Sequence, residues 1–414
     1  MTEAPTPRSM RSKAPLRVAF MTLFLDLLGF GIIIPIAPFY AESFGAGPAT
    51  VTLITACYSL MQFLFAPMWG ALSDRVGRRP VVLVSIAIAT VGYLVFGFAG
   101  SLWMLFAARM ISGFGNANIG TVQAIVADVT SGADRAKGMG MIGAAFGLGF
   151  VFGPVIGGLV GSAWGPNAPA FVAAGLAALN WVFAFLKLPE TRVLGASARE
   201  PRGFLGLTAI KKARRYLNLP QLLAISLVFT AGFAMMESTL GLFIEHSFVA
   251  RDLIGTKEGG KMATWLTTWV MLVVGVTAVI VQGGLIGRLR KIAVERSLIV
   301  AGCALLVVSF ALMPFAPALG YAAVFPVVVV LAFGSGIFSP SQSSLLSRSV
   351  SSEEQGEMLG AGQSMSALGR IIGPVTGGAL FQECGAGMPF WAGAVLIALG
   401  LVIALTLKQP VAEV

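Results

Sequence analysis

One histidine, His246, and three cysteines, Cys57, Cys303 and Cys384, are all the imidazole and thiol in the chain. A Ser-His-Asp triad would have to use that single histidine. No H-E-x-x-H pair and no clustered Cys/His spacing is present, so neither a metal nor a disulfide framework is expected. No G-x-x-x-x-G-K-[ST] loop occurs, which argues against direct drive by ATP. An enzyme is therefore a poor reading, and no cofactor is expected. Charge is scarce as well. Only 11% of residues are Asp, Glu, Lys or Arg, against roughly 25% in an ordinary soluble domain.

What fills the space is apolar. The chain is 57% hydrophobic, with a mean hydropathy of +0.86. Apolar runs of about 20 residues without strict alternation predict membrane-spanning helices rather than a barrel. The runs fall near 17–40, 50–71, 80–99, 102–126, 138–161, 169–188, 221–247, 262–286, 293–313, 320–345, 356–381 and 389–407. The net charge of +10 does not imply nucleic acid, because the bases sit in short loops between these runs. Arg251, Lys257 and Lys261 lie in loops on one side, Arg109 and Arg370 lie within spans, and the remaining 23 of 28 Lys and Arg lie on the other side. By the positive-inside rule both termini are cytoplasmic. The first run is too long for a cleaved signal and contains Asp26.

Residues 1–16 read as a polar cytoplasmic tail and 17–188 as one six-helix bundle. Residues 189–219 read as a cytoplasmic linker, and 220–414 as a second bundle. The basic end of the linker, Lys211, Lys212, Arg214 and Arg215, suits anionic lipid at the membrane surface. The two bundles echo each other. Gly153-Pro154-x-x-Gly157-Gly158 returns as Gly373-Pro374-x-x-Gly377-Gly378, with Gly149 matched by Gly369. Repeated halves are the mark of a transporter built by duplication.

Ionisable residues inside spans are costly and face cavities or protein. Asp26 in span 1 and Glu237 in span 7 are the candidate proton-coupling acids. Arg109 in span 4 is a candidate buried anchor, placed to hold a carboxylate or an ordered water near Asp26. Asp26, Glu237, Asn116, Asn118, Gln123, Gln363 and Arg370 are candidate substrate contacts. Pro35 and Pro38 break span 1 beyond Asp26. Two acids facing a Met- and aromatic-rich cavity would favour a lipophilic cation. Glu245 and His246 lie near the outer end of span 7.

Between spans 2 and 3 the chain reads G-A-L-S-D-R-V-G-R-R, Gly70 to Arg79, predicted as a hairpin between two apolar runs. This pattern resembles the signature loop of the major facilitator superfamily. The intramembrane Arg109 followed by Gly113 and Gly115 resembles the superfamily's span-4 motif. Gly149, Gly153, Pro154, Gly157 and Gly158 resemble its antiporter motif. The run D-L-L-G-F-G-I-I-I-P-I-A-P is similar to tetracycline-resistance-like members of the twelve-span drug:proton antiporter branch. G-F-A-M-M-E around Glu237 is similar to vesicular monoamine transporters.

The resemblance implies an all-α fold of 12 transmembrane helices in two pseudo-symmetric six-helix bundles. It implies proton-coupled efflux of amphiphilic small molecules by alternating access, in a bacterial-type inner membrane. It also implies a conformational latch built from Gly70, Asp74, Arg75, Gly77, Arg78, Arg79 and Asp128, with Asp74 meeting the start of span 11 near Ser352–Gly356. Partners are a small-molecule substrate, protons and lipid, and a monomer is expected. Tetracycline antiporters carry a span-8 histidine and a span-9 acid that this chain lacks. A lipid or glycolipid flippase and a proton-coupled nutrient symporter are the alternatives on the same fold, with a membrane sensor as a third class.

Overall fold

A computed structural model of the chain describes residues 14–130, 132–192, 215–350 and 355–408. The tail before residue 14 and most of the linker, with Lys211, Lys212 and Arg214, lie outside the described residues. The helices are α1 (Ala14–Ile33), α2 (Ala37–Glu42), α3 (Pro48–Val76), α4 (Arg78–Gly97), α5 (Leu102–Gly115), α6 (Ile119–Val129), α7 (Gly132–Trp164) and α8 (Ala168–Lys187) in the first half. The second half holds α9 (Leu219–Phe248), α10 (Lys257–Ile280), α11 (Ile286–Ile292), α12 (Glu295–Leu312), α13 (Ala316–Leu319), α14 (Val324–Arg348), α15 (Gln355–Cys384) and α16 (Met388–Leu405).

Ten helices among the described residues are long and apolar enough to cross a membrane. The other two expected passages are helical but marked by polarity. Span 4 is α5 and α6 joined by a 3-10 turn at Asn116–Asn118, and span 11 is the 30-residue α15, rich in glycine and polar residues. Span 1 stops at Ile33 and resumes as α2, whose first turn carries Pro38. A π-turn, Val281–Leu285, interrupts span 8.

The main buried core runs through both halves, and glycines set how closely the helices approach. In the first half α7 lies on α1. A Cβ at Gly153 would sit 2.6 Å from Gly31 Cα, and one at Gly149 2.7 Å from Leu27 Cβ. In the second half α15 lies on α9 in the same way, with a Cβ at Gly369 2.8 Å from the Ala231 nitrogen. Backbone meets backbone at these points, which only glycine permits.

The halves meet through the same two motifs. Gly158 of α7 faces the Thr268 hydroxyl of α10, and Gly378 of α15 faces that of Thr52 on α3. These paired contacts lie towards the face of the bundle opposite to the one where α1 begins and α16 ends. We call these the distal and terminal faces.

Candidate functional site

Between the halves lies a cavity lined by Phe30 of α1, Ser59 of α3, Arg109 of α5, Glu237 of α9 and Arg370 of α15, among others. Each half thus sends an arginine into one space, and the second half adds the carboxylate. Arg109 is 1% exposed. Its guanidinium lies over the Tyr58 ring at 4.6 Å and the Phe30 ring at 5.5 Å, a cation–π clamp. Among the described residues its Nε and Nη1 have no hydrogen-bond partner. Neither Arg109 nor Arg370 has a carboxylate within 4 Å among the described residues.

Asp26 stands apart from this cavity. It is buried on α1, where Asn180 Nδ2 of α8 donates to its Oδ1 at 3.0 Å and Asn118 Nδ2 to its Oδ2 at 3.5 Å. Asn118 also donates to Ser85 Oγ at 2.6 Å. The expected closeness of Arg109 to Asp26 is therefore replaced by two amides. Asn116 donates to the Tyr93 hydroxyl at 3.2 Å.

Of the candidate substrate contacts, only Glu237 and Arg370 line the cavity. Asp26, Asn116, Asn118, Gln123 and Gln363 do not. The expected acidic pocket holds two guanidiniums for its one carboxylate. Sequence reasoning passed over Asn180, yet it is the only side-chain amide in an otherwise apolar run from Ala168 to Phe185. The aromatic clamp of Phe30 and Tyr58 carried no sequence signal, since aromatics are ordinary in spans.

The loop at Gly70–Arg79 is folded more tightly than a hairpin. Helix α3 continues through Gly70 to Val76, and the reversal is Gly77 alone, at φ +106°. A Cβ there would lie 2.5 Å from Glu190 Oε2. Glu190 accepts from the Arg78 nitrogen at 2.9 Å and the Arg79 nitrogen at 3.1 Å, so its carboxylate sits on the positive end of α4. Arg78, buried, reaches Asp74 at 2.7 Å and Asp128 at 3.2 Å. Arg192 binds the same Asp74 oxygen at 3.0 Å. Arg79 donates to the Phe185 carbonyl at 2.7 Å, while Arg75 is exposed. The residues at 351–354, where Asp74 was expected to meet span 11, lie outside the described ones.

The chain is similar to tetracycline resistance protein, class C, of Escherichia coli, 32% identical over 88% of this chain and 89% of that protein. It is 27% identical to multidrug resistance protein 1 of Bacillus subtilis (strain 168), over 95% and 96%. Among solved structures it resembles the human organic anion transporter MFSD10 (TETRAN), with a TM-score of 0.71 and 25% identity over 97% of this chain and all of the other. A mutant form of the peptide transporter POT shares the fold with a TM-score of 0.74 at 15% identity, over 94% of this chain and 93% of that one. The family model described as Major Facilitator Superfamily matches residues 19–374 and 261–413, and by that match the chain belongs to the major facilitator superfamily.

Proposed function

We propose that this chain is a proton-driven efflux transporter of amphiphilic small molecules that carry an acidic group. The observation that carries the reading is the shared cavity. It offers Arg109 with two unbonded N–H groups and Arg370 from the opposite half, against the single carboxylate of Glu237. A guanidinium recognises a planar carboxylate or enolate in a forked geometry, and the Phe30 and Tyr58 rings supply the apolar wall. The relatives named for drug resistance and the neighbour named as an organic anion transporter point the same way.

Asp26 is the proton carrier in this scheme. Two amides hold it and no cation does, so it gains or loses a proton without breaking an ion pair. The terminal face, with its many bases, is cytoplasmic in a bacterial-type inner membrane. The Asp74–Arg78–Asp128 network with Arg192 is the latch on that face. Alternating access exposes the cavity first to one face and then to the other.

Counterflow in proteoliposomes tests the reading with anionic, zwitterionic, cationic and neutral fluorescent probes, each with and without a pH gradient. Anionic or zwitterionic probes are expected to move uphill only with the gradient. Uphill movement of the cationic probe alone would reject the cargo class. Equal downhill flux of all probes, blind to pH, would reject coupling.

A further inference from the structure

At the distal face the first half reaches the second through α2, which packs on α9 and α10. The contact is mostly apolar: Phe39 joins Val249 and Ala263 in a small buried cluster. Two acids are placed against this contact. Glu42 ends α2, and its carboxyl lies within hydrogen-bonding reach of the Glu245 carboxyl on α9. Glu245 is fully buried, at 0% exposure. Its Oε1 receives only a long bond, 3.4 Å, from the Gly255 nitrogen. Glu42 Oε2 and Glu245 Oε2 are both buried and have no donor.

Among the described residues no base pairs with either acid. His246, next in sequence, turns away, its ring against Phe381 at 5.1 Å and its Nδ1 on the Leu242 carbonyl at 2.9 Å. Arg251 and Asp252 in the following turn, and Lys257, Glu258 and Lys261 on α10, are exposed, as is Glu383 on α15. None forms an ion pair with either glutamate among the described residues. The Tyr40 hydroxyl is taken by the Ala99 carbonyl at 2.6 Å. Glu237 lies eight residues below Glu245, about 12 Å along the helix.

Two adjoining carboxylates that each hold a buried oxygen without a donor repel one another when both are ionised. A proton between them supplies the missing donor and turns repulsion into a short hydrogen bond. We propose that Glu42 and Glu245 form a second proton-binding site, and that the one proton they share locks the two halves together at the distal face. The sign follows. At low pH on the distal side the site is filled and the mouth is shut. Release of the proton to distal solvent leaves two anions that drive α2 from α9, and the mouth opens. The site needs neither Asp26 nor any particular cargo, so it stands or falls apart from the efflux reading.

The test uses full-length protein in lipid nanodiscs, with exposed Cys384→Ser and spin labels at Phe98→Cys and Leu319→Cys across the distal face. Interspin distances are read from about pH 5 to about pH 9, the range reached by raised carboxyl values. The short-distance population is expected to give way to a longer one as pH rises. Glu42→Gln, whose amide donates to Glu245 at every pH, should abolish that shift and keep the distance short. Glu245→Gln should do the same, while Asp26→Asn should retain it. A shift unchanged in both glutamine variants would overturn the proposal, as would no shift in the parent chain. A shift set by sodium or calcium rather than by pH would assign the pair to a metal cation and overturn it equally.

Discussion

Asp26 and Arg109 lie in the same half and take different parts in the proposed cycle. The amides of Asn118 and Asn180 each donate to one oxygen of the Asp26 carboxyl. Asp26→Asn fixes the neutral form. It is expected to abolish gradient-driven flux while leaving probe exchange at equal pH, and normal uphill transport by this variant in vesicles would remove Asp26 as carrier. Arg109 differs from a paired buried base. Truncation would forfeit the ring contacts, about 2 kcal/mol when desolvated. It would also remove buried N–H groups whose lack of partners costs about 1–3 kcal/mol. These terms offset each other, so Arg109→Met should melt close to the parent chain yet lose anionic probe binding. A large fall in melting temperature with binding intact would make Arg109 a structural anchor only.

Much of this was legible in the sequence, and the gaps have physical causes. An intramembrane acid or base announces itself because its burial is costly, so Asp26, Arg109, Glu237 and Arg370 stood out. Their partners did not, because Asn180 and the two rings are common in apolar helices and only packing pairs them with a charge. The charge of the cavity was misjudged for the same reason. Spacing gives each residue's depth along its own helix, not which helices face one space.

At the scale of the element, the helix boundaries follow proline and glycine. Span 1 breaks at Pro35, and α4 begins after a lone glycine with positive φ. The glycines inside helices fall into two kinds with opposite forecasts. A Cβ at Gly153 meets Gly31 backbone, which has no side chain to swing aside. Gly153→Ala should therefore cost about 1–3 kcal/mol by overpacking. Gly70, inside α3, has nothing within 4 Å of its would-be Cβ. Gly70→Ala should gain about 0.5–1 kcal/mol from helix propensity alone. Thermal unfolding of the two variants in one detergent decides the matter, and equal effects would mean that packing between α1 and α7 is looser than the contact requires. The signature loop thus has two parts. Gly77 is needed for its backbone, whereas Gly70 is a helical residue in open space.

For the whole molecule the sign of coupling is the test of mechanism. Cargo and proton must compete for a transporter to exchange them, and linkage makes the competition reciprocal. In the shared cavity an anionic cargo feels two guanidiniums as attraction and the Glu237 carboxylate as repulsion. Protonating Glu237 would tighten the anion, which is the wrong sign for exchange. In the proposed scheme competition then falls to Asp26, outside the cavity, through movement of the first half against the second. Glu237→Gln removes one repelling charge. At about 8 Å and an effective dielectric of ~20 that charge is worth about 2 kcal/mol. Where Glu237 is ionised, anionic probe binding should therefore tighten on the order of tenfold or more. The pH dependence of binding should flatten while gradient-driven exchange persists. Titration of the probe by tryptophan quenching across pH reads both quantities. Weaker binding in Glu237→Gln would place a cationic group of the cargo on Glu237. The sign of coupling would then reverse, making Glu237 itself the exchange site and restoring the lipophilic cation expected from sequence.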